Sequence, residues 1–191
     1  MQPWRRKKAL MRSGAKFTTK FDPLEREVIG DLTATVSEAL IARAQSAPKD
    51  EFAEMMGLST GHTEAPQDPK LARLLPDFER EGDEEFDGDN GLLRSLHEND
   101  IIRAKLMNIR VVNDALGPDG GVEVTIDEEE AHQFVAALND MRLYISADDR
   151  GGEGQAQDRE RLMEWLAFCQ DSLLDALSAV SYTHLTLPTK A

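Results

Sequence analysis

The chain has 191 residues, 30% of them charged, with a formal net charge of −14 and a single cysteine. That length suits one domain with a substantial core, and its apolar runs fall short of the roughly 20 consecutive apolar residues of a membrane span. One cysteine excludes an internal disulfide and, with no apolar stretch of signal-peptide type after the charged start, sets the expected location in the cytoplasm.

The charge is segregated along the chain. Residues 1–20 contain Arg5, Arg6, Lys7, Lys8, Arg12, Lys16 and Lys20 and no acid, so they sum to +7 and leave −21 for the remainder. Such a basic segment fits phosphate contacts on DNA or docking to an acidic protein patch, beside the plainer reading of a solvated N-terminus. Arg5, Arg6, Lys7, Lys8 and Arg12 are the candidate contact residues. Residues 9–13 and 16–21 flank Gly14-Ala15 and predict a short hairpin. Asp22 caps a helix over 23–44, with Pro23 at its first position, Glu25 completing a capping box, and Leu24, Val28, Leu32, Val36, Ala39 and Leu40 at helical spacing.

A short helical stretch through Phe52 and Met55 gives way to a turn-rich loop that ends at Pro69, and Lys70 to Leu75 makes a brief apolar turn before Pro76. Residues 79–89 are acidic and are expected to be exposed. A short helix from Leu92 to Leu96 leads into a longer one over 98–116, with Ile102, Leu106, Ile109, Val112 and Leu116 on one stripe, stopped at Gly117. Residues 122–126 alternate as a half-buried strand, and Asp127 with Glu130 forms a second capping box for a helix running to Ile145. The two strand, capping-Asp, helix runs form one weak internal echo. After a Gly-rich linker, 148–157, the last helix carries Leu162, Leu166, Cys169, Leu173 and Leu177 on one face.

The expected architecture is a mainly helical α+β domain: four main helices with a small antiparallel or mixed sheet made by the N-terminal hairpin and a strand near 122–126. Residues 1–8 form the basic segment, residues 9–179 one domain with mobile loops near 57–68, 79–90 and 148–157. Residues 180–191 read as the translation of a sequencing adapter, strand-like in composition directly after a strong helix with no turn between, and they carry no weight in the functional reading.

No catalytic, cofactor or metal constellation emerges. His62 and His97 lack a ligand-forming neighbour at metal spacing, His184 lies in the suspect tail, and Glu129 with His132 supplies one Glu-x-x-His where di-iron bundles need two copies. Gly117 to Gly121 leads into a strand, and Gly151 to Gly154 lacks the strand and lysine of a nucleotide loop. No Ser-His-Asp or Cys-His arrangement follows from spacing, so no enzyme is expected. Cys169 sits on an apolar stripe with Asp171 nearby. That setting favours an inert thiol over a sensor, which requires exposure and adjacent positive charge. The most basic helix, with Arg103, Lys105 and Arg110, offers no continuous cationic face.

Six stretches in order carry a family resemblance: Lys20-Phe-Asp-Pro-Leu-Glu-Arg-Glu-Val-Ile-Gly-Asp-Leu32, Asp68-Pro-Lys-Leu-Ala-Arg-Leu-Leu-Pro-Asp77, Glu98-Asn-Asp-Ile-Ile-Arg-Ala-Lys105, Val124-Thr-Ile-Asp-Glu-Glu-Glu-Ala131, Ala137-Leu-Asn-Asp-Met-Arg-Leu143 and Glu164-Trp-Leu-Ala-Phe-Cys-Gln-Asp-Ser-Leu173. Each alone is a packing or capping pattern. As an ordered set the chain resembles the actinobacterial AosR-like family of oxidative-stress transcriptional regulators and relatives without an assigned role. The resemblance implies a cytoplasmic protein working on transcription, with a sigma factor or RNA polymerase as partner and a thiol as sensor. The switch it implies uses two cysteines four positions apart, whereas Trp165 and Leu173 stand four residues either side of Cys169. This chain therefore regulates without that switch, or through Cys169 as an intermolecular disulfide or sulfenic acid, or belongs with the relatives of unassigned role. The leading expectation is a regulator acting mainly through protein partners, with DNA contact through the basic segment as the weaker component. The rival is a structural or adaptor protein without redox response.

Overall fold

In a computed structural model, the structure describes residues 1–7, 14–48, 55, 61–79, 89–118, 122–147 and 152–179. The elements among them are strands β1 (Arg5–Lys7) and β2 (Lys16–Phe21), helix α1 (Pro23–Gln45), helix α2 (Pro69–Leu74), helix α3 (Asn90–Leu116), strand β3 (Val122–Ile126), and helices α4 (Glu128–Ser146) and α5 (Glu153–Ser178). This is the mainly helical α+β fold expected from the sequence. The sheet is antiparallel in the order β1-β2-β3.

The hairpin strand that pairs with β2 is Arg5–Lys7, within the basic segment, with Arg5 opposite Thr18 and Lys7 opposite Lys16. The stretch 9–13 that had been expected to form this strand lies outside the described residues. So do Lys8, Arg12, the core of the acidic stretch 79–89, most of the stretch through Phe52 and Met55, and the tail 180–191. Alternation along β2 and β3 sends Phe17, Phe21, Val124 and Ile126 inward, each essentially fully buried. The strand-to-helix junctions follow the sequence closely. Asp22 and Asp127 each accept from the N3 backbone while Glu25 and Glu130 reach back to the capping residue's own N–H. Each box satisfies two backbone donors that a helix start would otherwise leave orphaned.

Helix α4 is the hub. It packs against α3 on one side and α5 on another, with α2, α1 and β2 completing its surroundings, and buries Ala131, Phe134, Ala137, Leu138 and Met141. On α5 the expected face is the one that turns inward, with Leu166, Cys169 and Leu173 buried. That helix begins at Glu153, inside the stretch expected to be linker.

Two other helices differ from the expected pattern. Helix α3 runs unbroken from Asn90, absorbing the short helix and the gap expected at His97. On helix α1 the expected Val36 and Leu40 are buried and Leu32 packs against the core, but Ile29 and Thr33 are buried with them and Leu24 stays 68% exposed. Both series have helical spacing, and the packing partner selects between them; here Thr33 donates to Asn113 of α3 at 2.7 Å. Arg26, one turn into α1, donates to the carbonyls of Leu116 and Gly117 and so covers the C-terminal end of α3. Gly117 ends α3 with φ at 64°, a left-handed conformation that costs a glycine little.

Candidate functional site

The single thiol lies under the N-terminal strand. Trp4 is buried and meets Phe134 of α4 edge to face, ring centroids 5.4 Å apart. Its backbone N–H donates to Ser172 Oγ at 2.8 Å, one helical turn beyond Cys169, and the amino group of Met1 pairs with Glu25. Cys169 is 0% exposed. Burial pushes its thiol up to about 12, with the nearby Glu25 carboxylate adding to the rise. A thiol held protonated and out of water is a poor nucleophile.

The basic residues separate by strand alternation. Arg6 turns toward the core side and is half-buried, its Nε without a hydrogen-bond partner. Arg5 and Lys7 project from the opposite, outer face, where the pairing register sets them beside Lys16, Thr18 and Lys20 of β2, and Glu123 and Thr125 of β3. Arg5, Lys7 and Lys20 are exposed and Lys16 is half-exposed. Lys16 and Lys20 were visible in the sequence as charges, yet only the register shows that they share a face with Arg5 and Lys7. On α3, Lys105 is taken up by Asp140 at 2.7 Å in a sheltered pair, whereas Arg103 with Asp100 at 2.7 Å and Arg110 with Asp114 at 3.4 Å form exposed surface pairs.

A second polar cluster, unannounced by the sequence, is buried. Arg94 and Glu98 of α3, each with a side chain 1% exposed, pair at 2.7 Å. Arg94 also binds Asp77 at 2.7 Å and the carbonyls of Leu75 and Pro76, and Glu98 takes a second cation from Arg43 at the end of α1. Arg43 reaches the carbonyl of Glu64 as well. The network therefore ties α1, α3 and the segment around Leu75–Pro76 together. Arg94 donates to four acceptors, the carboxylates of Glu98 and Asp77 and the carbonyls of Leu75 and Pro76, so its charge is matched within the network. The signal that could have found it is the i, i+4 spacing of Arg94 and Glu98, which reads equally well as an ordinary surface pair.

His62 serves structure too: its Nε2 lies 2.9 Å from the carbonyl of Arg43 and 3.1 Å from Ser46 Oγ, at the end of α1. Among the described residues no three of His, Cys, Asp or Glu converge to hold a metal ion. No helix among them is long and apolar enough to cross a membrane.

By fold and exposed chemistry, then, this is a mainly helical α+β domain with a buried thiol, a buried charge network and a cationic outer sheet face. The chain belongs to the DUF2017 family, described as a domain of unknown function, whose sequence profile matches residues 1–177. Its relatives include the oxidative stress regulator AosR of Mycobacterium tuberculosis and of Mycobacterium bovis, each 37% identical over 151 aligned residues, covering 73% of this chain and 67% of the relative. A Mycobacterium leprae relative is 32% identical over 186 aligned residues, covering 87% of this chain and 85% of its own. The AosR-like resemblance is thereby shown. No solved structure matches the chain.

Proposed function

We propose that the chain is a cytoplasmic, non-enzymatic, oxidative-stress-associated regulator of transcription that acts by contacting a protein partner. The observation that carries this reading is the kinship with proteins named as oxidative stress regulators, at 37% identity over most of the chain. Sigma factor or RNA polymerase is the partner class that a transcriptional role calls for. The buried state of Cys169 supports regulation without a two-cysteine switch in this chain, because a thiol held at about 12 supplies almost no thiolate at neutral pH. The pairing of Lys105 with the sheltered Asp140, and the charge of −21 on the chain outside its first twenty residues, support protein contact over DNA contact.

The test is a cross-linked pull-down from cells under oxidant. Recovery of sigma factor or RNA polymerase is expected, and its absence favours an adaptor role outside transcription. A gel-shift titration against promoter DNA examines the remaining option. Strong binding with a steep inverse dependence on salt would move DNA from a minor to a leading component.

A further inference from the structure

The outer face of the sheet carries charge that its own fold does not neutralise. Arg5, Lys7, Lys16 and Lys20 surround Thr18 and Thr125, and Glu123 is the one carboxylate among the strand residues of that face. Lys7 stands directly opposite Lys16 in the register, and like charges so placed destabilise a strand pair. Their carboxylate neighbours relieve little of this. Lys7 lies 3.6 Å from Glu123 and Lys16 lies 3.8 Å from Asp127, all four side chains well exposed, and such pairs contribute weakly in water. An anion laid across the face would remove the repulsion.

Both ends of the face are closed by acid. Strand β2 runs directly into exposed Asp22, while Glu25 of the same capping box is taken up by the Met1 amino group, and β3, antiparallel to it, runs into Asp127 and Glu128, Glu129 and Glu130 at the opposite end. Between these limits β2 spans about 20 Å. A nucleic-acid duplex laid along it would continue past both ends, carrying phosphates over the carboxylates of a body whose charge is −21 outside the first twenty residues. A polypeptide of strand length stays within the basic area. In an extended peptide alternate side chains recur on one side about every 7 Å, the repeat that also separates Arg5 from Lys7 along their strand.

We infer that the outer face of the three-stranded sheet is a docking surface for a short, extended, acidic segment of a partner protein, with Arg5, Lys7, Lys16 and Lys20 receiving its carboxylates. This rests on the partner-mediated reading above and names the surface and chemistry through which it works.

The experiment is an anisotropy titration of the full chain with a labelled peptide of alternating Glu and Thr, joined to amide NMR shift mapping. Saturable binding at low salt is expected, with shifts concentrated at Thr18, Lys20, Glu123 and Thr125. Lys16→Glu with Lys20→Glu weakens it about tenfold or more, and Lys16→Arg with Lys20→Arg retains it. Arg5→Glu with Lys7→Glu, on the edge strand, gives the same loss should the β2 variant fail to fold. No binding, undiminished binding by the charge-reversed chains, shifts confined to other faces, or displacement by short duplex DNA at lower concentration than by unlabelled peptide overturns the assignment. The pull-down remains separable. A partner recovered equally by wild type and by the Lys16→Glu, Lys20→Glu chain overturns this surface and leaves partner-mediated action standing. Peptide binding at the sheet without a recovered partner supports the surface and removes that action.

Discussion

Cys169 illustrates how one residue's chemistry is set by its neighbours. With the thiol pushed up to about 12 by burial, its thiolate fraction at pH 8 falls far below that of the unfolded chain, and with the sulfur out of reach of solvent, reaction with a disulfide reagent is much slower in the native than in the denatured state. A native rate near the denatured rate would contradict the buried geometry. The same shift has a stability consequence. Below pH 9 both states hold the proton and the thiol adds no pH dependence; between pH 9 and 12 the unfolded chain ionises first and stability is lost as pH rises. Wild type should therefore lose more stability from pH 8 to pH 10 than Cys169→Ala, read as the difference between their thermal melts. The stripe Leu166, Cys169 and Leu173 was legible from spacing alone, and with it the burial of the thiol. The Glu25 carboxylate beside it was not, because that contact crosses from α1 to α5.

At the scale of elements, the buried charges decide how helices are held. Removing Arg94 by Arg94→Met strands Glu98 with Arg43 alone and frees the carbonyls of Leu75 and Pro76. The expected cost is about 3–5 kcal/mol, read from urea unfolding. A cost below about 1 kcal/mol would show the network to be dispensable. Between α3 and α4, Lys105 meets Asp140 at 2.7 Å, and burial holds the Asp140 carboxyl above its ordinary value despite the lysine's hydrogen bond and charge. Because that pKa is raised, the protonated acid favours the folded state, and this contribution is lost as pH rises through the acidic range. Lys105→Met alone should destabilise the protein at pH 7 by about 2 kcal/mol, whereas Lys105→Met with Asp140→Leu should recover most of the loss. Equal destabilisation by the single and the double variant would contradict the desolvation argument. Helix existence, caps and most boundaries were legible here, since periodicity and Asp-x-x-Glu boxes are local signals. The burial of Ile29 and Thr33 in place of Leu24 and Val28 was not, because both sets lie at helical spacing from the shared Val36 and Leu40 and only packing against α3 chooses between them.

At the scale of the molecule, the basic N-terminal segment is part of the core as well as part of the surface. Trp4 packs on Phe134, β1 completes the sheet, and Ser172 of α5 accepts from the chain at Trp4. Deleting residues 1–7 removes a buried indole and an edge strand together. The expected loss is at least about 3–5 kcal/mol from the aromatic side chain alone, measured by thermal or urea unfolding. A truncated chain as stable as the full one would show that these contacts add nothing. The segregated charge of the first twenty residues by itself allowed a solvated N-terminus. Strand alternation divides the same residues between two faces, one anchoring the segment and the other presenting cations.

The sequence alone determined the helical α+β class, both strand-to-helix junctions, the family and the interior position of the one thiol, because each depends on local periodicity, capping chemistry or residue order. The tertiary structure decided the register that gathers Arg5, Lys7, Lys16 and Lys20 on one face, the burial of Arg94 with Glu98, and the side of α1 that meets the core. Those features join residues far apart in the chain, and their energies depend on distance and desolvation, which no run of neighbouring residues specifies.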